Sequence, residues 1–160
     1  VRLAWGPEGG VESGRVDRAL TGSSSAQEVA HDLAGLLPGT RYRWTATATT
    51  AAGTTVLTRT FDTPGAPTVR ALAATGVTRT GATAQLRVHP HGLDTTVRVE
   101  WGPGWAGRTA EVPFPAASWE RAGTVGLTGL APGTTYRYRV VATNAAGTTV
   151  GPEQVLTTSG

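Results

Sequence analysis

The sequence contains no cysteine, methionine, lysine or isoleucine. Without cysteine there is no disulfide framework, thiol nucleophile or thiolate zinc site, and without lysine no Schiff-base amine. Lysine and isoleucine share AT-rich codons, so their joint absence points to a GC-rich bacterial gene. No stretch approaches the ~20 consecutive apolar residues that would span a bilayer. The sequence holds no secretory signal, and as it starts at Val1 without an initiator methionine it is expected to be a mature or excised piece. The basic residues are all arginine, 14 against 11 acidic side chains, for a net charge of +3. That balance invites a nucleic-acid reading, but phosphate affinity needs cations converging on one surface. Arg41/Arg43, Arg59, Arg70, Arg87 and Arg137/Arg139 are dispersed among Glu and Asp, as on solvated sheet faces.

Glycine and proline are abundant, with 22 and 10 residues, and threonine and valine are frequent between them. This composition favours strands and turns over long helices. The chain also repeats itself. Val1-Arg2-Leu3-Ala4-Trp5-Gly6-Pro7 returns as Val97-Arg98-Val99-Glu100-Trp101-Gly102-Pro103. Gly35-Leu36-Leu37-Pro38-Gly39-Thr40-Arg41-Tyr42-Arg43 returns 94 residues later as Gly129-Leu130-Ala131-Pro132-Gly133-Thr134-Thr135-Tyr136-Arg137, and Ala51-Ala52-Gly53-Thr54-Thr55-Val56 as Ala145-Ala146-Gly147-Thr148-Thr149-Val150. Two units therefore share one plan. The second has a front section, from about Pro67 to Asp94, that the first lacks.

Within the second unit apolar residues recur at every second position: Ala84, Leu86, Val88; Val97, Val99, Trp101; Tyr136, Tyr138, Val140, Ala142. That period means one buried and one wet face, as in antiparallel sandwiches. Turn residues at His89-Pro90-His91-Gly92, Gly102-Pro103-Gly104, Ala131-Pro132-Gly133-Thr134 and Asn144-Ala145-Ala146-Gly147 separate the strands. From Thr68 onward this gives about seven strands in roughly 90 residues, the size of an immunoglobulin-like sandwich.

The run from Leu127 to Val140, followed by Ala142-Thr143-Asn144-Ala145-Ala146-Gly147 and preceded by Val99-Glu100-Trp101-Gly102, resembles bacterial fibronectin type III-like domains. The resemblance covers both units. It implies tandem all-β, immunoglobulin-like sandwiches: a partial domain over 1–65, holding strands C to G in the usual lettering, and a complete one over 66–160. One departure is plain. The second-strand tryptophan common in animal fibronectin domains is Leu86 here, which shifts the core anchor to Trp101 and Tyr138. Leu130 is expected to plug the core, Pro132-Gly133 to turn, and the Tyr136 hydroxyl to bond backbone upstream as a tyrosine corner. Leu36, Pro38, Gly39 and Tyr42 take these roles in the first unit, where Trp5 matches Trp101. The joint Thr63-Pro64-Gly65-Ala66-Pro67 is short and proline-stiffened.

Little in the sequence suggests catalysis or a cofactor. His89, His91 and Asp94 have a metal-like composition, but Pro90 makes a turn of them and no fourth ligand is evident. His31, at the core-facing parity of Val29 and Leu33 and matched with Val125, reads as a partly buried structural histidine. Ser23-Ser24-Ser25 lacks a nucleophile elbow. Glu100 falls on the outward face, within reach of outward arginines across the sheet. Trp105, Phe114 and Trp119 lie outside the repeat core, where they could contact protein or stack on sugar rings, or else cover the sandwich edge.

The expected function is a non-catalytic spacer and protein-contact module of a secreted or cell-surface bacterial protein. The first unit lacks its first two strands: either they lie upstream in a longer protein, or a neighbouring subunit or separate chain completes the unit by β-addition or head-to-tail contact, building a fibre. The alternative is a carbohydrate-binding accessory module of a secreted hydrolase, with polysaccharide as partner.

Overall fold

The computed structural model describes residues 1–23 and 25–160, so the Ser23–Ser25 run lies partly outside them at Ser24. Among the described residues all regular structure is strand, apart from one 3-10 turn at Pro103–Trp105. By density of contacts the chain divides into Val1–Thr63 and Pro64–Gly160. Pro64 and Gly65 go with the second unit because Gly65 is held there: its N–H donates to the His91 carbonyl and its carbonyl accepts from the Asn144 side chain.

The first unit is one antiparallel sheet of β1 (Arg2–Pro7), β2 (Gly14–Asp17), β3 (Arg41–Thr50) and β4 (Gly53–Asp62), in the order β2-β1-β3-β4. β3 and β4 meet in a two-residue hairpin, Ala51-Ala52, with Thr50 opposite Gly53. Gly53 has φ 145° and its repeat equivalent Gly147 has φ 151°, backbone that side chains rarely adopt, so the repeated Ala-Ala-Gly marks a turn. Registers place Leu3, Trp5, Tyr42, Trp44, Leu57 and Phe61 on one face. Only Tyr42 of these is buried. Its hydroxyl accepts the Leu37 N–H at 3.0 Å, the bond expected of a tyrosine corner.

The fifth strand expected in this unit, around Val29, His31 and Leu33, forms no ladder. A strand there needs a partner to take its hydrogen bonds. In the second unit that partner is the strand at Gly81–His89, and the first unit has no counterpart of it.

The second unit is a two-sheet sandwich. Its strands are β5 (Thr68–Thr75), β6 (Gly81–His89), β7 (Thr95–Trp101), β8 (Gly107–Arg108), β9 (Val112–Phe114), β10 (Arg121–Thr128), β11 (Thr135–Asn144), β12 (Gly147–Val150) and β13 (Gln154–Thr157). One sheet runs β10-β6-β5; the other runs β12-β11-β7-β8, with β13 also on β11 and β9 on β7. Alternate residues of both sheets bury into one core: Ala84, Leu86 and Val88, Val97 and Val99, Val125 and Leu127, Tyr138, Val140 and Ala142. Each fully buried Val or Leu contributes about 1.5–3 kcal/mol relative to exposure. Leu86 and Tyr138 are both fully buried, and Trp101 packs against the core from its rim. Leu130 is buried, and the Ala131 N–H donates to the Tyr136 hydroxyl at 2.9 Å.

Candidate protein-contact face

The repeat lets one unit serve as a template for the other. In the second unit the inner face of the β7/β11 sheet is covered by β5, β6 and β10, and Tyr138 at its centre is 0% exposed. Burial raises the pKa of its phenol, which donates a 2.7 Å hydrogen bond to the Leu72 carbonyl on β5. The residue 94 positions earlier is Trp44, directly opposite Trp5 on β1. Among the described residues of the first unit, nothing equivalent to β5 or β6 lies over it. Leu3, Trp5, Trp44 and Phe61 instead line an open groove of ≈ 450 Å³ with Val29, Ala30, His31 and Leu33 along its other side. His31 is exposed rather than partly buried: among the described residues of the first unit no strand pairs with its segment or covers it. Its ring leans on Trp5 at a centroid distance of 5.4 Å. The 94-residue offset from Tyr138 marks Trp44 as a member of this face and the pairing of Phe61 with Tyr42 places Phe61 there, though neither was singled out from the sequence.

A second cluster lies on the outer face of the β7/β11 sheet. Glu100 is only 6% exposed. Its Oε2 accepts from Arg139 Nε at 3.0 Å and Nη2 at 2.8 Å, and its Oε1 from Arg98 Nε at 3.0 Å. Burial pushes the Glu100 pKa up, but the hydrogen bonds from Arg139 and Arg98, with the attraction of both charges, outweigh it and leave the carboxyl below its ordinary value. The Arg139 guanidinium lies 4.2 Å from the Trp105 ring centre, a cation–π stack that roofs the pair. Trp105 reaches it from a left-handed backbone (φ 59°) after Gly102 and Gly104. The cluster is self-satisfied: each oxygen of the carboxylate already accepts a charged donor.

The remaining sequence candidates separate. Phe114 is no surface contact: it is 8% exposed and belongs to the core, against Leu86 and the backbone of Gly123. It is drawn in because β9 pairs with β7 and Thr95 stands opposite Phe114. Trp119 is 64% exposed. His89 and His91 stack with ring centres 4.0 Å apart, and the His89 Nδ1 accepts the His91 N–H. Asp94 turns elsewhere and accepts the Ala116 N–H at 2.8 Å, so the three do not converge. No group of three potential metal ligands occurs among the described residues, nor a helix long and apolar enough to cross a membrane.

No protein-family model matches the chain, and no curated protein matches it. Among solved structures it is similar to a two-domain fibronectin type III segment of chicken tenascin, at 19% identity over 98% of this chain and 83% of that one, TM-score 0.43. It is similar to domains FN1–FN3 of chicken CNTN1, at 19% identity over 99% of this chain and 55% of that one, TM-score 0.42. The sensor domain of the anti-sigma factor RsgI4 in Pseudobacteroides cellulosolvens is 14% identical over 57% of this chain and 74% of that one, TM-score 0.45.

Proposed function

We propose that the chain is a non-catalytic structural and protein-contact module of a secreted or cell-surface bacterial protein, organised as one partial and one complete fibronectin type III-like domain. Its contact face is the open side of the β1/β3 sheet. There, strands from a neighbouring polypeptide complete a sandwich, and head-to-tail repetition of that contact builds a fibre. The observation that carries this reading is the pair Tyr138 and Trp44: at matched positions, the first is sealed beneath β5 and the second lines an open groove. An apolar sheet face of this kind is stable when another layer covers it.

The test is a hybrid in which residues 64–90, carrying β5 and β6, are fused ahead of Val1. The unmodified chain should bind a hydrophobic dye, and completing the sandwich should remove that binding and shift the Trp5 and Trp44 fluorescence to the blue. Unchanged emission and dye binding in a folded hybrid would sink the proposal. The alternative of carbohydrate binding retains one observation in its favour, the exposed indole of Trp119. Insoluble polysaccharide should then retain the protein and release the Trp119→Ala variant; equal retention of both removes this reading.

A further inference from the structure

The two units differ in how they treat the same sheet edge. In the second unit the edge strand is broken: Val150 pairs with Val141 and Gln154 with Tyr138. Between those pairs the three residues Gly151, Pro152 and Glu153 face the two residues Arg139 and Val140. This bulge carries a proline, and the Gly151 N–H closes it on the Val140 carbonyl at 2.8 Å. A bulge, a proline and a charge are the features that keep a sheet edge from pairing with another chain. In the first unit the corresponding edge has neither bulge nor proline, and its charges are Arg59 and Asp62. β4 runs ten residues in unbroken register with β3, from Gly53 opposite Thr50 to Asp62 opposite Arg41. Position 58, where the 94-residue repeat puts Pro152, is Thr58. The far edge of the same sheet, β2, is four residues long and carries Arg15 and Asp17, so it is blunted in its own way.

The hydrogen-bonding phase of β4 follows from its end. The Thr63 N–H donates to the Thr40 carbonyl at 2.9 Å, directly across the register. Alternation then turns the N–H and C=O groups of Thr54, Val56, Thr58, Thr60 and Asp62 away from β3. Residues 53–60 are all exposed, with Val56 at 58% and Leu57 at 42%.

We infer that β4 is a pairing edge, and that its partner is β4 of a second copy of this chain, antiparallel about a two-fold axis at Thr58. The sequence of the strand is self-complementary in that register. Val56 faces Thr60 of the second copy, Thr55 faces Phe61, and Arg59 faces Leu57. Asp62 falls opposite Thr54, so no like charges stand directly opposite, while the two Arg59 side chains lie diagonally across the axis; Thr55, a β-branched residue, stands against the Phe61 ring. The outward N–H and C=O groups of each copy meet those of the other, joining two four-stranded sheets into one of eight strands. The inference is independent of what covers the apolar face of either sheet.

Light scattering of the full chain across a concentration series tests it, together with amide hydrogen exchange on the same samples. The expected mass rises from 16.4 kDa to twice that value, while the amides of Val56, Thr58 and Thr60 become slow to exchange. Thr58→Pro transplants the proline of the second unit and should weaken the dimer at least tenfold. It removes only an outward N–H, so the fold should survive; Val56→Lys checks the same edge without touching the backbone. Overturning outcomes are a monomer throughout the series, a dimer indifferent to both variants, or a dimer whose β4 amides stay fast. A dimer lost on Trp44→Asp but not on Thr58→Pro would move the contact to the apolar face, which also overturns edge pairing.

Discussion

Glu100 shows how one side chain is governed by groups far apart in sequence. Its folded pKa lies below the ordinary value, so the stability it contributes is fully present above the ordinary glutamate range and is lost as pH falls through the folded pKa. Glu100→Gln is therefore expected to cost about 1–3 kcal/mol at neutral pH. The difference from the unmodified protein should fade at acid pH, below the ordinary glutamate range, once the glutamate itself protonates. Urea unfolding at the two pH values checks both. A smaller effect is expected at Tyr136, whose hydroxyl accepts a backbone N–H that water can also reach: Tyr136→Phe should cost about 1 kcal/mol in the same experiment. The tyrosine corner was legible in the sequence because Leu130, Pro132, Gly133 and Tyr136 lie within one short motif. The burial of Glu100 was not, since strand parity puts it on the outer face. What covers it is Arg139 from another strand and Trp105 from a turn, and alternation carries no information about either.

At the scale of strands, the same device recurs in both units. Trp5 on β1 stands opposite Gly14 on β2, and Trp101 on β7 opposite Gly107 on β8. Each indole lies over its glycine: a Cβ on Gly14 would come within 2.5 Å of the Trp5 ring, and one on Gly107 would collide with Trp101. Gly107→Ala is expected to destabilise the second unit by about 1–3 kcal/mol through overpacking. Gly126→Ala, with nothing within 4 Å of the added carbon, should stay within about 0.5 kcal/mol. Thermal melts of the two variants make the comparison. Period-two alternation exposed β6, β7 and β11 to a reading of sequence alone. It failed for the segment around His31, which has strand-like parity but no neighbour to hydrogen-bond, because a ladder belongs to two segments and periodicity reports on one. It was silent on Phe114, whose short strand β9 escapes any periodic test and is set by its pairing with β7.

For the whole molecule, the decisive asymmetry is where the apolar surface goes. The buried cluster is drawn from the second unit alone, while the first buries little beyond Tyr42. A unit of this size with one sheet buries too little surface to be robust by itself. Calorimetry should show two transitions, the lower lost and the upper retained in a chain of residues 64–160; a single transition at one temperature would contradict this. The strand order of the first unit also fixes how it bears a load. β1 and β4 both run antiparallel to β3, hence parallel to each other, with Arg2 level with Val56 and Pro7 level with Phe61. Tension applied at Arg2 and Asp62 therefore pulls along the strands from opposite ends of the sheet. Both flanking ladders of β3 are strained in shear at once, many hydrogen bonds together, instead of being unzipped one by one. Forced rupture is governed by the unfolding rate under load and not by equilibrium stability, so a unit that melts early in a calorimeter can still hold when it is pulled.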